Sequence, residues 1–246
     1  MKKRMIGLFS ITLLLSALLL AGCGSKKDTI IVGTEAGFAP YEYMKGNDVV
    51  GIDMDIAQAI ADHLGKELEI RNMDFDGALL AVQNGTVDFV AAGVSVDEDR
   101  LEVMDFSIDY VNSTEVVVVN KDNPTVSSLD DLDNKIIGVQ QGNIADFWVE
   151  DNISAKEVKR YTKFSQATED LKNGKIDCIV MDQFPAEDMV ENNPELVILD
   201  GVLFEDKYAI AVKKGNKELL DEINTVVEQL KEDGKIDEFT ANHTKK

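Results

Sequence analysis

Cysteine and histidine are scarce, and positive charge is outnumbered. Two cysteines in 246 residues provide neither a disulfide framework nor a cysteine-rich metal site. Two histidines, His63 and His243, leave little for a histidine-based metal site or catalytic triad. The 25 Lys and Arg face 46 Asp and Glu, a formal charge of −21. A phosphate backbone is repelled by such a surface, so no nucleic-acid partner is expected. What remains is ordinary for a folded chain. Hydrophobic residues make up 44 % and charged residues 29 %, which argues against wholesale disorder and fibrous architectures. The length leaves room for one or two domains.

The first residues read as targeting, not as fold. Lys2, Lys3 and Arg4 precede an uncharged, Leu-rich stretch from Ile6 to Leu20. Leu20-Ala21-Gly22-Cys23 then sets small residues directly before a cysteine. This resembles the lipobox of a bacterial lipoprotein signal, with cleavage before Cys23. An uncleaved anchor is the alternative, because Met5 to Ser25 is uncharged and just long enough to span. The expected division is a signal peptide over 1–22, lipidation at Cys23 and a tether over 23–28. Two acyl chains on Cys23 would anchor the exported protein stably to the outer face of the membrane. Cys178, within the apolar run Ile176 to Val180, reads as inert core.

Short Val- and Ile-rich runs alternate with helical stretches. Strands are expected at Thr29–Val32, Leu68–Ile70, Val87–Ala91, Val116–Val119, Lys135–Val139, Ile176–Val180, Leu196–Leu199 and Tyr208–Val212. Ile56, Ile60 and Leu64 recur at helical spacing, with Asp53 placed as N-cap and Gly65 as the C-terminal stop. This alternation predicts an α/β fold with helices flanking mostly parallel sheets. The chain also resembles itself. Residues 78–90 lie on 167–179 with a shift of 89, matching Asn84-Gly85 to Asn173-Gly174 and Asp88 to Asp177. The entry strand Ile30–Thr34 reads like Ile136–Gln140 with a shift of 106. Two similarly built lobes are expected. Ligands of open α/β sheets sit beyond the carboxyl ends of the strands. Those ends, at 34–38, 91–95, 140–144 and 181–183, would converge on one cleft if the lobes face each other.

Further motifs are recognisable. Gly33-Thr-Glu-Ala-Gly-Phe-Ala-Pro-Tyr-Glu-Tyr43, Val50-Gly-Ile-Asp-Met-Asp-Ile-Ala57, Ala92-Gly-Val-Ser-Val-Asp-Glu-Asp-Arg100, Met104-Asp-Phe-Ser107 and Ile137-Gly-Val-Gln-Gln-Gly142 resemble the polar amino-acid-binding proteins of ABC importers. The resemblance covers nearly all of 29–240. It implies two α/β lobes, each a mostly parallel sheet flanked by helices, joined by two hinge strands and closing on one ligand. Lobe one would comprise 29–110 plus 211–246, lobe two 115–206, and the hinge 110–114 and 206–210. The implied partners are a free amino acid, the permease subunits of an ABC transporter and the membrane, through Cys23. The protein would act as a monomer, without cofactor or metal, and the lipid tether suits a Gram-positive cell.

The chemistry of an amino acid sorts the candidates. Arg100 offers a fork that holds a carboxylate through two parallel hydrogen bonds, which Lys cannot do. On a solvated helix it would instead pair with Glu98, Asp99 or Glu102. The resemblance places the carboxylate-binding Arg at 100, with Ser95 beside it. Asn143 and Ile144 open a helix whose N–H groups would hold the same carboxylate. Hydroxyl residues are usual in the family at these two positions; here Ile144 can offer only its backbone N–H. Asp182 ends an apolar strand and would meet the ligand ammonium, together with the Gly93 carbonyl and Ser95. It equally suits the N-cap of the helix that follows. Phe38 and Phe75 would sandwich the ligand side chain, with Glu35 and Gln140 at its polar tail. Glu35 leans the expected ligand toward a basic amino acid, and Gln140 keeps glutamine open. Two other functions fit the same fold. A dehydratase-like enzyme would need a poised titratable group, for which Glu35 is the only obvious spare. An amino-acid-sensing module would normally continue into a transmembrane helix.

Overall fold

The computed structural model describes residues 28–244, so the expected signal peptide, Cys23 and nearly all of the tether lie outside the described residues. The chain opens with β1 (Thr29–Thr34) and a small antiparallel sheet of β2 (Gly37–Phe38), β3 (Glu42–Lys45) and β4 (Asp48–Val50). Then come α1 (Ile52–His63), β5 (Glu67–Asn72), α2 (Phe75–Asn84), β6 (Phe89–Val90), α3 (Glu98–Val103) and β7 (Met104–Phe106). A long strand, β8 (Val111–Asn120), leads into β9 (Ile136–Gln140), α4 (Ile144–Asn152), β10 (Glu157–Tyr161) and α5 (Phe164–Lys172). β11 (Cys178–Asp182), α6 (Gln183–Asn192), β12 (Leu196–Ile198) and β13 (Phe204–Tyr208) follow. β14 (Ala211–Lys213), α7 (Lys217–Glu232) and α8 (Lys235–Thr244) complete the described chain. Among the described residues no helix is long and apolar enough to cross a membrane.

The two main sheets are built alike. One runs β5-β1-β6-β14-β7 and the other β10-β9-β11-β8-β12. In each, three parallel strands are followed by one antiparallel strand, and a fifth strand resumes the first direction. The fold is therefore α/β with two similar lobes. The repeat expected from sequence is real at the level of single contacts. Asp88 Oδ2 accepts the Ile31 N–H at 2.7 Å, and Asp177 Oδ2 accepts the Ile136 N–H at 2.7 Å. Gly85 and Gly174 end α2 and the α5 turn with φ of +73° and +68°, as left-handed stops must. These contacts correct one register. Ile31, not Ile30, is the counterpart of Ile136, so the entry strands match with a shift of one residue less. Gly33 and Gly138 confirm it: a Cβ at Gly33 would meet Val87, and one at Gly138 would meet Ile176, the residue that the 89-residue repeat pairs with Val87.

β8 and β13 pair antiparallel over Val111–Glu115 and Phe204–Tyr208, forming a two-stranded ribbon between the lobes. The expected strand over Tyr208–Val212 is interrupted at Ala209 and Ile210, between β13 and β14. Asp53 is not the N-cap of α1. Gly51 takes that place, and Asp53 is buried inside the first turn. Helices α1 and α7 cover one face of the first sheet and α2 the other, with apolar clusters on both faces. Phe147 on α4 is 47 % exposed, whereas Trp148 beside it stacks on Phe204 at 4.9 Å. Cys178 is buried, and its thiol is pushed up to about 12 by burial.

Candidate functional site: a cleft between two sheets

The carboxyl ends of the parallel strands of both sheets meet. Glu35, just past β1, faces Gln140, at the end of β9, and Gln140 Nε2 donates to Glu35 Oε2 at 3.2 Å. In the corrected register these two are counterparts in the repeat. Lys163 Nζ lies 3.8 Å from the other Glu35 oxygen, which has no hydrogen bond of its own among the described residues. Burial raises the Glu35 pKa, and the lysine opposes that rise. Phe38 is buried and stacks on Tyr41 and on Phe164, each with a centroid separation of 5.9 Å. Phe164 opens α5 as Phe75 opens α2, so the 89-residue repeat carries one phenylalanine onto the other.

Arg100 is buried in the first turn of α3, and its N–H donates to the N-cap Asp97. Its Nη1 donates to the Ser95 carbonyl at 2.6 Å and its Nη2 to the Gly142 carbonyl, across the cleft, at 2.7 Å. Nε pairs with Asp97 at 3.0 Å, and the guanidinium lies 5.7 Å from the Phe75 ring centroid. Burial lowers the Arg100 pKa, and Asp97 offsets part of this. The solvated-helix pairing with Glu98, Asp99 or Glu102 does not occur; the partner is Asp97. Asn143 caps α4, its Oδ1 accepting the Ala145 N–H at 3.2 Å. Asp146 Oδ2 accepts the Gly142 N–H at 3.1 Å. The Asn143 carboxamide is thus committed to the helix, and Ile144 supplies only backbone.

Asp182 ends β11 and is buried. Its Oδ1 accepts the Ser113 hydroxyl at 3.0 Å and the Tyr208 hydroxyl. It occupies the N-cap position of α6, with no side-chain bond to the helix. Gly93 has φ of +56°, and its N–H donates to Asp53 Oδ2 at 2.8 Å. The Ser95 hydroxyl donates to Asp206, not to Asp182. A cavity of about 910 Å³ opens beside Arg100 and is lined by Asp76, Gly142, Ile144 and Asp206. Glu35, Phe38, Gln140 and Asp182 lie outside it, buried.

Of the candidate residues from the sequence, Arg100 and Ile144 line this cavity. Several neighbours were missed. Asp53 braces Gly93 and also accepts the Tyr110 hydroxyl at 2.7 Å; burial pushes its carboxyl up to about 6. Glu115, Asp206 and Tyr208 surround Asp182. Glu115 carried a signal, as a lone charge beginning the run Glu-Val-Val-Val-Val119. Phe164 was reachable by extending the repeat ahead of Ala78.

The profile of the bacterial extracellular solute-binding proteins, family 3, matches residues 30–246. The chain belongs to this family. A probable histidine-binding protein of Neisseria gonorrhoeae is 34 % identical over 249 residues, covering 93 % of this chain and 91 % of that one. The structure resembles the substrate-binding protein AbpA of Streptococcus pneumoniae, bound to L-arginine, with a TM-score of 0.83 and 36 % identity over 87 % of this chain and 94 % of that one. It resembles an ancestral arginine-binding protein, bound to glutamine, with a TM-score of 0.83 and 38 % identity over 89 % and 98 %. Family membership carries an extracytoplasmic setting with it.

Proposed function

We propose that this protein is the substrate-binding component of an amino-acid ABC transporter, capturing one polar L-amino acid between its lobes and delivering it to the permease. The observation that carries the reading is the buried pair of Arg100, on α3, and Asp182, at the end of β11, linked through the cleft. Arg100 donates to Ser95, Ser95 bridges Tyr208, and Tyr208 donates to Asp182. A guanidinium and a carboxylate held this way match the two charges of a zwitterion. On binding, the ligand carboxylate takes over the Arg100 bond now made to Gly142, and the α-ammonium joins Asp182, the Gly93 carbonyl and Ser95. Phe38, Phe75 and Phe164 enclose the side chain. The lobes, 29–110 plus 211–246 and 115–206, move about 110–114 and 206–210. Cys23 carries the lipid that keeps the monomer at the outer face of the membrane. No cofactor or chemistry is required.

Glu35 favours a basic side chain. It is buried, one oxygen lacks a hydrogen bond, and Lys163 is half exposed and free to swing away. The L-arginine bound to AbpA supports this choice. Gln140 beside Glu35 supports glutamine as the second reading, as does the glutamine-bound ancestral protein. Calorimetry of residues 24–246 against the common L-amino acids tests the proposal. Binding of arginine, lysine or histidine, unchanged after incubation, is expected. Turnover of any of them, or binding of none, overturns it. Lys163→Ala sorts the two readings: it should tighten arginine binding if the tail pairs with Glu35, and leave glutamine unaffected.

A further inference from the structure

One buried acid has no part in this scheme. Glu115 is fully buried on β8, and no N–H or hydroxyl donor among the described residues reaches either of its carboxylate oxygens; its one polar neighbour within hydrogen-bond reach is the Asp182 carboxyl, a contact that needs a proton on one of the two. Its place follows from register. Asp182 on β11 lies directly opposite Glu115, and Asp206 on β13 lies opposite Ser113, two residues along the same face. Three adjacent strands therefore turn three carboxylates to one spot, with an oxygen of each within 4.8 Å of the others. Directly opposed like charges repel even on a wetted sheet, and here the opposed pair, Glu115 and Asp182, is shut off from water.

The surroundings offer no relief to Glu115. From β13 come Asp206 and Tyr208, and from β8 itself Ser113. On the far side of Asp182, Tyr41, between β2 and β3, feels its charge and those of Asp53 on α1 and Glu42 on β3, so further buried acids lie there. Arg100 on α3 is the cation of this region, and its charge acts on Asp206, where Asp97 opposes it. Ser95 also donates to Asp206. Two carboxyl groups in contact and without a cation cannot both ionise, and they titrate as one unit. Burial raises both Glu115 and Asp182 above the ordinary carboxylate range; the Asp182 charge raises Glu115 further and the Asp206 charge raises Asp182, while a proton donated from Glu115 to Asp182 favours the ionised Asp182.

We infer that Glu115 makes amino-acid capture a proton exchange: the Glu115–Asp182 pair holds a proton that leaves to solvent when the ligand ammonium arrives beside Asp182. The ammonium keeps its own three hydrogens and brings one positive charge, and the departing proton removes one. The inference rests on the amino-acid-binding reading above. Its consequence is affinity that climbs with pH near neutrality. One full proton released per binding event corresponds to a tenfold change per pH unit.

L-Glutamine and L-arginine serve as probes, because neither side chain titrates between pH 6 and 8. Calorimetry is run at pH 6, 7 and 8 with EDTA present, in phosphate and in Tris, whose ionisation enthalpies differ. The expected result is a buffer-dependent heat equal to about half to one proton released, and affinity at least fivefold higher at pH 8 than at pH 6. Glu115→Gln should bind without proton release and with flat affinity across this range. A buffer-independent heat in the wild-type protein overturns the inference whether or not the variant folds. Proton release that persists undiminished in a folded Glu115→Gln also overturns it. Absence of binding at every pH refutes the amino-acid-binding reading instead, so the two failures are distinct.

Discussion

A methyl group added at Gly93 tests the cleft at its tightest point. Gly93 has φ of +56°, and the left-handed conformation costs a side-chain-bearing residue about 1–2 kcal/mol. A Cβ there would sit 2.9 and 3.3 Å from two ring carbons of Phe38 and 3.4 Å from Tyr208. Neither ring is free to yield. Phe38 is stacked between Tyr41 and Phe164, and the Tyr208 hydroxyl is engaged with Asp182 and Ser113. Overpacking of this kind costs about 1–3 kcal/mol more. Gly93→Ala should therefore lose about 2–5 kcal/mol, equivalent to about 5–15 °C in Tm for a protein of this size. Because Phe38 meets Phe164 across the cleft, ligand affinity should fall at least tenfold as well. Gly46→Ala is the control: φ is +66° and nothing lies within 4 Å of the added carbon. It should show the backbone cost alone, with normal affinity. Differential scanning calorimetry and titration calorimetry read the two quantities. Equal Tm losses in both variants, or unchanged affinity in Gly93→Ala, would refute the packing argument.

Arg100→Lys should weaken ligand binding by roughly two to three orders of magnitude, the effect of losing a buried charge-assisted pair; near-normal affinity in calorimetry would count against the fork. The ligand-free protein should have a higher Tm at pH 5 than at pH 8. Asp53, at about 6, and Glu42, Glu115 and Asp182, all raised by burial, bind more protons folded than unfolded, so stability falls as pH climbs through their range. Asp105, held at about 2 by the Gly215 N–H and two lysines, acts oppositely, and its contribution is lost only as pH drops below about 4. A Tm that increases steadily from pH 5 to 8 would contradict this. Small-angle scattering should show a smaller radius of gyration with saturating ligand, as hinge closure requires; identical curves with binding confirmed would mean rigid lobes.

The fold was legible because its main signals are local. Asn84-Gly85 and Asn173-Gly174 need left-handed stops wherever they occur, and Asp88 and Asp177 repeat the same bond to a neighbouring strand. The small sheet β2–β4 was not seen, since two to four residues per strand show no alternation. Asp53 looked like a cap because acids near a helix start commonly are. Only the tertiary structure brings Gly93 and Tyr110 onto its two oxygens. The acids around Asp182 were hidden for a related reason. Register across β11, β8 and β13 brings 115, 182 and 206 together, and no local spacing encodes that.

The order of strands also governs how the chain completes itself. All strands of the second sheet come from one continuous stretch, β8 to β13, whereas β14 wedges between β6 and β7 of the first sheet from residues 211–213. A chain emerging from its N-terminus therefore lays down both neighbours of that strand about a hundred residues before the strand itself arrives. Until then β6 and β7 present unpaired edges, the kind of surface on which chains stick to each other. The later lobe is finished first and the earlier lobe last. A truncation between Tyr208 and Ala211 leaves a complete second sheet beside a first sheet split down its middle.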